Sequence, residues 1–469
     1  MKVAECTTIL VGKKASLDGS TLIARSEDGG REILPESFKV VLPEDQPRHY
    51  KSVLTGCEVE LPGEPLRYTS VPDAHGKYGV WAAAGINEEN VAMTATETIT
   101  TNARIQGIDP LLVGEGLGEE DFVTLTLPYF HSAAEGVLRV GELLAKYGTY
   151  EMNGMAFSDK DEIWYLETIG GHHWAARRIP DDAYVVAPNR FNIDEFDFES
   201  PDFMASADLQ TIIADYKLNP DFEGYNLRHI FGSATVKDTH YNNPRAWYVQ
   251  HYFDSNLQTT PLDQDQPFIV HADRKISVDD IMFLMASHYQ NTPYDVYGDQ
   301  GTAAEKKRFR PIGINRNFET HILQIRNDVP AGLAGVQWLG FGPNTFNAMV
   351  PFYTNIVDTP ASFRDTGSKF NLQSIFWLNK LMSQLGDTNF KLYGELESAF
   401  EQKTVAACYR IQHQTDKLAQ ELQGAQLQAC LTKANQEMAD LTFANTVELL
   451  GKMVEEGHAH MRLKYDLLD

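Results

Sequence analysis

The sequence has few cysteines, no long hydrophobic run and no excess of basic residues. Its 469 residues include four cysteines, Cys6, Cys57, Cys408 and Cys430. They are too few for a disulfide framework and lack the CxxC spacing of a metal site. No run approaches the roughly 18 apolar residues that a membrane span needs. The first residues also lack the apolar core of a secretory signal. These absences favour a reducing compartment and predict a cytoplasmic protein without a membrane partner.

Positive charge is scarce as well. The chain has 40 Lys and Arg against 65 Asp and Glu, and its formal net charge is −25 at pH 7. Nucleic acids and anionic membrane surfaces bind basic patches, so neither is an expected partner. Hydrophobic residues make up 43% of the chain and charged residues 22%, which is the balance of a globular protein and not of a disordered one.

The common motifs of nucleotide-binding proteins and hydrolases are missing. There is no phosphate-binding GxxxxGK[ST] loop, and Gly114, Gly116 and Gly118 have the wrong spacing for a dinucleotide loop. There is also no GxSxG elbow and no HExxH helix. His172 and His173 lie between predicted strands. Adjacent histidines in an extended strand point to opposite faces, so without a bend they are not expected to share a metal ion.

The first part of the chain alternates short β-branched segments with turns. Thr7–Val11 and residues 21–25 flank an Asp-Gly loop and predict an antiparallel hairpin. A second hairpin is predicted from residues 79–82 and 91–94, with a turn between them. Further strands are predicted at residues 155–157, 163–166, 174–176 and 184–187.

Helical patterns lie between and after these strands. Ala133–Tyr147 has apolar residues at helical spacing, and the segment from Ser277 to Asp280 matches a capping box. Residues 370–461 predict long helices broken near Gly386 and Gly424. No linker marks a sharp boundary. The pattern therefore indicates an α+β core with a helical C-terminal extension.

Cys6 has an unusual position, because only five residues precede it at the head of a predicted strand. Such a cysteine is most often a small buried hydrophobe. The alternative is that the preceding residues are removed, so that one residue carries both a thiol and a free α-amine. With a pKa of ~7.7–8.0, the amine can take the proton of a thiol whose pKa is ~8.5. No separate histidine base would then be needed.

The predicted hairpin places charged residues opposite Cys6. Depending on where the turn is centred, Cys6 faces a position between Arg25 and Arg31 on the returning strand. A guanidinium from Arg25 would lower the pKa of the thiol, and Asp28 could accept a hydrogen bond from the α-ammonium. The alternative is an ordinary surface Arg–Asp pair at a strand end.

The segment from Cys6 to Gly12, with residues 18–20 and 25–29 behind it, resembles the start of the dipeptidase A family. These are N-terminal-nucleophile cysteine peptidases of lactic acid bacteria and their relatives. The similarity covers nearly the whole chain, with further motifs at residues 85–88, 95–98, 164–167, 173–176, 243–247 and 351–353. It implies a four-layer αββα fold, self-cleavage between Glu5 and Cys6, hydrolysis of dipeptides, and no metal or organic cofactor.

The resemblance also implies roles for individual residues. Cys6 matches the family's nucleophile. The more distant penicillin V acylases and bile salt hydrolases carry an Arg-x-x-Asp pair beside their cysteine, which Arg25 and Asp28 match. A later asparagine of those relatives, placed before a loop, is similar to Asn189, which we expect to stabilise the oxyanion together with backbone N–H groups.

Two more positions concern the substrate. A second oxyanion asparagine of the acylase relatives falls on Glu97, and a carboxylate cannot donate a hydrogen bond unless it is protonated. Either Glu97 has another task, such as binding the dipeptide's ammonium, or the alignment is shifted here. Arg245 corresponds to a late arginine of those relatives, and an arginine can bind a substrate carboxylate through two hydrogen bonds.

These expectations divide the chain into a propeptide at residues 1–5, a catalytic domain at 6–365 and a helical extension at 366–469. The extension could form a homo-oligomer interface or cover its own catalytic domain. Two other functions stay open. One is an amidase acting on N-acyl amides, as in the acylase relatives. The other is a non-catalytic protein whose Cys6 belongs to the core and whose tail is an interaction module.

Overall fold

The computed structural model describes residues 5–462. Of the propeptide predicted at residues 1–5, Glu5 belongs to this range, and residues 1–4 lie outside the described part.

The strands are β1 (Thr7–Val11), β2 (Thr21–Asp28), β3 (Lys39–Val41), β4 (His49–Lys51), β5 (Glu58–Glu60), β6 (Tyr68–Ser70), β7 (Ala84–Ile86), β8 (Ala92–Thr98), β9 (Asn153–Ser158), β10 (Ile163–Thr168), β11 (Trp174–Ile179), β12 (Tyr184–Pro188), β13 (Phe203–Ala205), β14 (Asn317–Ile325), β15 (Gly335–Phe341) and β16 (Val350–Tyr353). The α-helices are α1 (Ala103–Gln106), α2 (Glu119–Thr126), α3 (Ala133–Tyr147), α4 (Leu209–Asp215), α5 (Leu227–Phe231), α6 (Asn243–Phe253), α7 (Val278–Met285), α8 (Ala331–Ala334), α9 (Ala361–Arg364), α10 (Ile375–Thr388), α11 (Phe390–Ala419) and α12 (Gly424–His458).

Most strands belong to two six-stranded antiparallel sheets. The first sheet has the order β12-β1-β2-β14-β15-β16, and the second has the order β13-β11-β10-β9-β8-β7. Within residues 5–462, β3 with β6 and β4 with β5 form two small separate sheets. Antiparallel sheets followed by C-terminal helices confirm the predicted α+β class. The predicted helix over Ala133–Tyr147 and the capping box at Ser277 are confirmed as α3 and the start of α7.

Strand β1 lies inside the first sheet and begins directly after Cys6. Its β-branched residues suit a strand covered on both faces, and all of them are buried. The predicted hairpin is present, with Thr8 opposite Arg25 across β1 and β2. Because side chains alternate along a strand, Thr8, Arg25 and Glu27 share one face with Cys6.

That face meets the second sheet. Arg25 Nε donates to Thr94 Oγ1 of β8 at 2.9 Å, and Thr8 Oγ1 donates to Glu97 Oε2 of the same strand at 2.9 Å. Helix α3 packs on β9 and β10, while α7 and α10–α12 pack on strands of the first sheet. Polar groups therefore meet between the sheets, at the level of Cys6.

One predicted strand is wrong. Residues 79–82 form no strand, and β7 begins later, at Ala84. Gly79 has a φ of +110° and Trp81 a φ of 46°, which are left-handed values that interrupt an extended chain. The turn was predicted at residues 85–90, and it lies only after Ile86, because Gly85 and Ile86 belong to β7.

The C-terminal helices share a hydrophobic core with the first sheet. Their breaks lie near the predicted glycines, because α10 ends at Thr388 and α12 begins at Gly424. Phe376 of α10 and Met438 of α12 belong to the same buried cluster as Trp338 of β15. The extension thus covers its own sheet. No helix between residues 5 and 462 is long and apolar enough to cross a bilayer.

Helix α12 also completes the edge of the first sheet. The edge strand β16 would otherwise leave backbone groups unpaired. Asn435 of α12 accepts a hydrogen bond from Tyr353 N and donates one to Tyr353 O, both at 2.9 Å. Its side-chain amide thus pairs with the strand as a neighbouring backbone would.

We expect Asn435→Ala to lower the free energy of unfolding by about 2–4 kcal/mol, because two buried backbone groups lose their partners. Chemical denaturation measures this loss. Gln426→Ala changes an exposed side chain of the same helix and should shift the free energy by less than about 0.5 kcal/mol. Equal effects of the two substitutions would contradict the edge-pairing argument.

Candidate active site

Cys6 is fully buried, and its thiol contacts a guanidinium. Arg25 Nη1 lies 3.0 Å from Cys6 Sγ. Burial raises the pKa of the Cys6 thiol well above its ordinary value, although the charge of Arg25 acts in the opposite direction. In the uncleaved chain, where the nitrogen of Cys6 is an amide, the thiol therefore keeps its proton at neutral pH.

Arg25 is held from several directions. Its other hydrogen bonds go to neighbouring segments, with Nε donating to Thr94 Oγ1 at 2.9 Å, Nη1 to Thr96 O at 3.0 Å, and Nη2 to Ala83 O at 3.0 Å and Ala95 O at 2.9 Å. Two buried carboxylates balance its charge, Glu27 at 3.3 Å and Glu119 at 3.8 Å. The guanidinium is therefore both oriented and neutralised before any substrate arrives.

A second layer of contacts orients Thr94. Its hydroxyl lies 2.8 Å from Nε2 of His321, whose Nδ1 lies 2.9 Å from Glu319 Oε1. His321 and Glu319 are on β14, the strand that pairs with β2 on the side away from β1. Sequence reasoning missed these residues, because nothing near them in the chain marks a contact with Arg25.

Asp28 lies on the other face of β2 from Arg25, near the bond that joins Glu5 to Cys6. Its carboxylate forms a close ion pair with Arg310 and accepts a hydrogen bond from Asn317 Nδ2 at 2.9 Å. Its main-chain carbonyl accepts from Glu5 N at 2.8 Å. Arg310 Nη2 also donates to Glu5 O at 3.0 Å.

Arg245 of α6 connects Cys6 with Asn189. An arginine has five N–H donors, and here each has an acceptor in the chain. Nη1 donates to Cys6 O and to Thr7 Oγ1, Nη2 to Asn189 Oδ1 and Asn242 Oδ1, and Nε to Tyr241 O. In the uncleaved chain Arg245 is thus fully engaged by protein groups.

The amide of Asn189 has a defined orientation. The residue directly follows β12, next to β1 in the first sheet. Its Oδ1 accepts from Arg245 at 2.8 Å, and its Nδ2 donates to Thr98 O at 2.9 Å. Since an amide nitrogen has two N–H donors, one remains for another acceptor.

Glu97 is buried, and only one of its carboxyl oxygens is satisfied. Oε2 accepts from the Thr8 hydroxyl at 2.9 Å, whereas Oε1 has no hydrogen-bond partner within residues 5–462. Burial raises the pKa of Glu97 to about 8, against the opposing effects of Arg245 and of the Thr8 hydrogen bond. The shift favours the neutral carboxyl group over the carboxylate.

The helical extension reaches the site through Lys380. This α10 residue is buried, and its Nζ donates to the carbonyl of Asn317, whose side chain binds Asp28. Burial lowers the pKa of Lys380 to about 8, with the charge of Asp28 opposing the shift. A residue so far along the chain carried no signal in the sequence.

The histidine pair lies between two strands, as the sequence indicated. His172 and His173 occupy the turn between β10 and β11, where both Nδ1 atoms contact Asp109, at 3.1 and 2.6 Å. The turn lets neighbouring rings converge, which an extended strand would prevent. Across the described range 5–462, no three His, Cys, Asp or Glu side chains are grouped to hold a metal ion.

The chain is similar to known proteins over nearly its whole length. A model described as Peptidase family C69 matches residues 5–403. The chain is 69% identical to "Dipeptidase A" of Lactobacillus helveticus, with both chains covered completely. It is 56% identical to "Probable dipeptidase B" of Lactococcus lactis, over 99% of this chain and 98% of that one. It is 33% identical to "Probable dipeptidase" of Salmonella dublin, over 75% and 81%. The chain belongs to peptidase family C69.

Proposed function

We propose that this peptidase is a cysteine dipeptidase of the N-terminal-nucleophile type. Cys6 is the nucleophile, and its α-amine, freed when residues 1–5 leave, is the general base. The observation that carries the proposal is the buried thiol of Cys6, which lies 3.0 Å from the guanidinium of Arg25, on the residue that directly follows the proposed cleavage point. The dipeptidase names of the relatives support the substrate class. Two facing sheets with helices on their outer sides support the four-layer αββα arrangement.

Self-cleavage comes first in this scheme. Cys6 Sγ attacks the carbonyl carbon of Glu5, the C–N bond breaks, and the thiol proton passes to the nitrogen of Cys6. Glu5 is then a thioester on Sγ, which water hydrolyses to a carboxylic acid and a free thiol. The hydrogen bond from Arg310 to Glu5 O supports this step, because negative charge develops on that oxygen in the transition state.

Dipeptide hydrolysis repeats the chemistry with a free amine. The amine takes the thiol proton, the thiolate attacks the scissile carbonyl, and the amine returns the proton to the leaving amino acid. Water, activated by the same amine, then hydrolyses the thioester. Arg25 stabilises the thiolate, and we assign the free N–H of Asn189 to the oxyanion. Asp28, held by Arg310 and Asn317, holds the ammonium form of the amine.

The assignments of Glu97 and Arg245 follow from the hydrogen-bonding capacity that each side chain has left. Glu97 Oε1 is buried and unsatisfied, and buried polar atoms normally have partners. We assign it to the ammonium group of the dipeptide, whose charge also lowers the pKa of the carboxyl and favours the ion pair. Arg245 has no N–H left for a substrate, so we assign it to positioning Cys6 and Asn189.

We expect Glu97→Gln to raise KM for alanyl-alanine about tenfold, because a neutral amide replaces a carboxylate that pairs with an ammonium. KM for N-acetyl-alanyl-alanine, which has no ammonium, should change less than about twofold. Glu64→Gln, at an exposed position, is the matched control and should leave both constants unchanged. Equal effects on the two substrates would contradict the assignment.

The same substitution should change how stability depends on pH. Folding raises the pKa of Glu97 from its ordinary 4.5 to about 8, so between these values the native chain keeps a proton that the unfolded chain has lost. This carboxyl therefore lowers stability as pH rises through that window. The free energy of unfolding, measured by denaturation at pH 5 and pH 8, should fall less between these two pH values for Glu97→Gln than for the wild type.

Two measurements test the proposed function. Intact mass and N-terminal sequencing of the active protein should place the N-terminus at Cys6, and an active protein that still begins with Met1 would overturn the processing. Turnover of free dipeptides against N-acylated amides separates a dipeptidase from an acylase. Faster turnover of the acylated compounds would favour the acylase.

A further inference from the structure

The side chain of Glu5 lies among basic and hydroxyl groups. Its Oε2 accepts hydrogen bonds from Arg316 Nη2, at 3.0 Å, and from the hydroxyl of Tyr241. Lys237 Nζ lies 3.6 Å from Oε1, and the Glu5 side chain is only 13% exposed. The uncleaved chain thus holds one of its own carboxylates in a defined site, on the residue that precedes the nucleophile.

The donors of this site are themselves held in place. Arg316 Nη1 donates to the carbonyl of Gly29, directly after β2, at 3.1 Å, and its Nη2 reaches the Tyr241 hydroxyl at 3.3 Å. The guanidinium groups of Arg245 and Arg310 lie 5.2 and 5.3 Å from the centre of the Tyr241 ring. The site is therefore ordered and electropositive before a ligand arrives.

Loss of Glu5 would leave this site without its carboxylate. Among residues 5–462, neither Lys237 nor Arg316 pairs with any other acidic side chain. Clustered positive charges without a counter-charge favour binding of an anion. Because the proposed self-cleavage and the proposed hydrolysis use the same Sγ, the substrate's scissile carbonyl must come close to the place that Glu5 C=O leaves.

Covalent geometry then selects the anion. The carboxylate carbon of the Glu5 side chain is four bonds from the carbonyl carbon that Cys6 attacks. In a dipeptide, the α-carboxylate carbon is three bonds from the scissile carbonyl carbon. A longer peptide that is cleaved at its first peptide bond places its terminal carboxylate at least three bonds further away. Together with the proposed binding of the ammonium group at Glu97, a carboxylate site at this distance would restrict the enzyme to dipeptides.

On the basis of the function proposed above, we propose that Lys237, Tyr241 and Arg316 bind a substrate carboxylate in the cleaved enzyme, at the site that Glu5 fills in the uncleaved chain. The carboxylate has two possible sources, the α-carboxylate of the dipeptide and an acidic side chain on its first residue. The side chain of the first residue lies on the acyl side of the scissile carbonyl, as the Glu5 side chain does, whereas the α-carboxylate lies on the leaving side. The α-carboxylate is favoured, because every dipeptide carries it. Glu5 of the propeptide then occupies the substrate site in the uncleaved chain.

Kinetics of Arg316→Met with three substrates test the proposal. The substrates are alanyl-alanine, its C-terminal amide, and the C-terminal amide of glutamyl-alanine. In the wild type, amidation of alanyl-alanine should raise KM at least about tenfold. Arg316→Met should raise KM for alanyl-alanine by about the same factor and leave KM for its amide within about twofold. Lys307→Met, at an exposed lysine before Arg310, is the control and should match the wild type.

The third substrate distinguishes the two sources. If the site binds an acidic side chain, the wild type should have a low KM for the glutamyl-alanine amide, and Arg316→Met should raise that KM alone. If Arg316→Met leaves KM for all three substrates unchanged, the site binds no substrate carboxylate and the proposal is wrong.

Removal of the propeptide is checked by intact mass before the kinetics, because Arg316 also contacts Glu5 and the substitution can slow self-cleavage. If Arg316→Met stays uncleaved, Tyr241→Phe and Lys237→Met decide by the same comparison. Failure of the cleaved wild type to hydrolyse any dipeptide would refute the proposed function. If the cleaved wild type hydrolyses dipeptides but none of these variants changes KM for a substrate that carries a carboxylate, this inference alone is refuted.

Discussion

Cys6→Ala is expected to give a folded chain that keeps residues 1–5 and hydrolyses no dipeptide. The substitution removes the only group that can form the thioester in both proposed reactions. Turnover should fall by at least about a thousandfold, as it does when the nucleophile of a hydrolase is deleted. Intact mass reports the uncleaved propeptide, and steady-state kinetics report the loss of turnover.

Cys408→Ala is the matched control for this experiment. Cys408 is another buried thiol, but it lies in α11, where its Sγ is 3.9 Å from Thr442 Oγ1. Its removal should leave cleavage and turnover intact. Removal of the propeptide or dipeptide hydrolysis by Cys6→Ala would dismiss the nucleophile assignment, and with it the general-base role of the amine.

Arg25→Lys is expected to have the second largest effect. A lysine keeps the charge but has three donors, so several of the buried carbonyls that Arg25 now satisfies lose their partner. The ammonium also cannot hold the planar geometry that brings Nη1 to Sγ. We expect kcat to fall about a hundredfold, within the range seen when one oriented charge-stabilising donor is removed.

The pH profile separates this electrostatic role from simple loss of structure. Arg25 favours the thiolate, so its replacement should raise the pKa of the Cys6 thiol. The rising limb of the pH profile of kcat/KM should therefore move to higher pH. The pH dependence of the rate at which iodoacetamide alkylates Cys6 should move in the same direction. Arg308→Lys, at an exposed arginine, is the control. A lower kcat with no change in the pH of the rising limb would show that Arg25 has only a structural role.

Much of the hairpin formed by β1 and β2 was predictable, because its parts are neighbours in the chain. The β-branched segment after Cys6, the Asp-Gly loop and the returning strand are consecutive in the chain. Their pairing followed from turn chemistry and alternation, which left the residue facing Cys6 open between Arg25 and Arg31. The strand predicted at residues 79–82 was wrong because left-handed backbone at Gly79 and Trp81 cannot be read from hydropathy.

The site around the hairpin was not predictable in the same way. Arg310 and Asn317 reach Asp28 from almost three hundred positions away in the chain, and Lys380 reaches Asn317 from the helical extension. Each is an ordinary polar residue in its own segment. Their importance arises from burial, which makes an unpaired charge costly and forces distant groups into partnership.

The amino-acid sequence by itself determined the α+β class, the position of the thiol at the head of a strand, and the hairpin that brings Arg25 close to the thiol, because these depend on neighbours along the chain. Only the tertiary structure decided which groups hold that guanidinium, why Arg245 has no donor to spare, and that Glu97 keeps a buried, unsatisfied oxygen with a raised pKa. Hydrogen-bond capacity and desolvation are properties of the packed molecule, and they are set only when the two sheets close on each other.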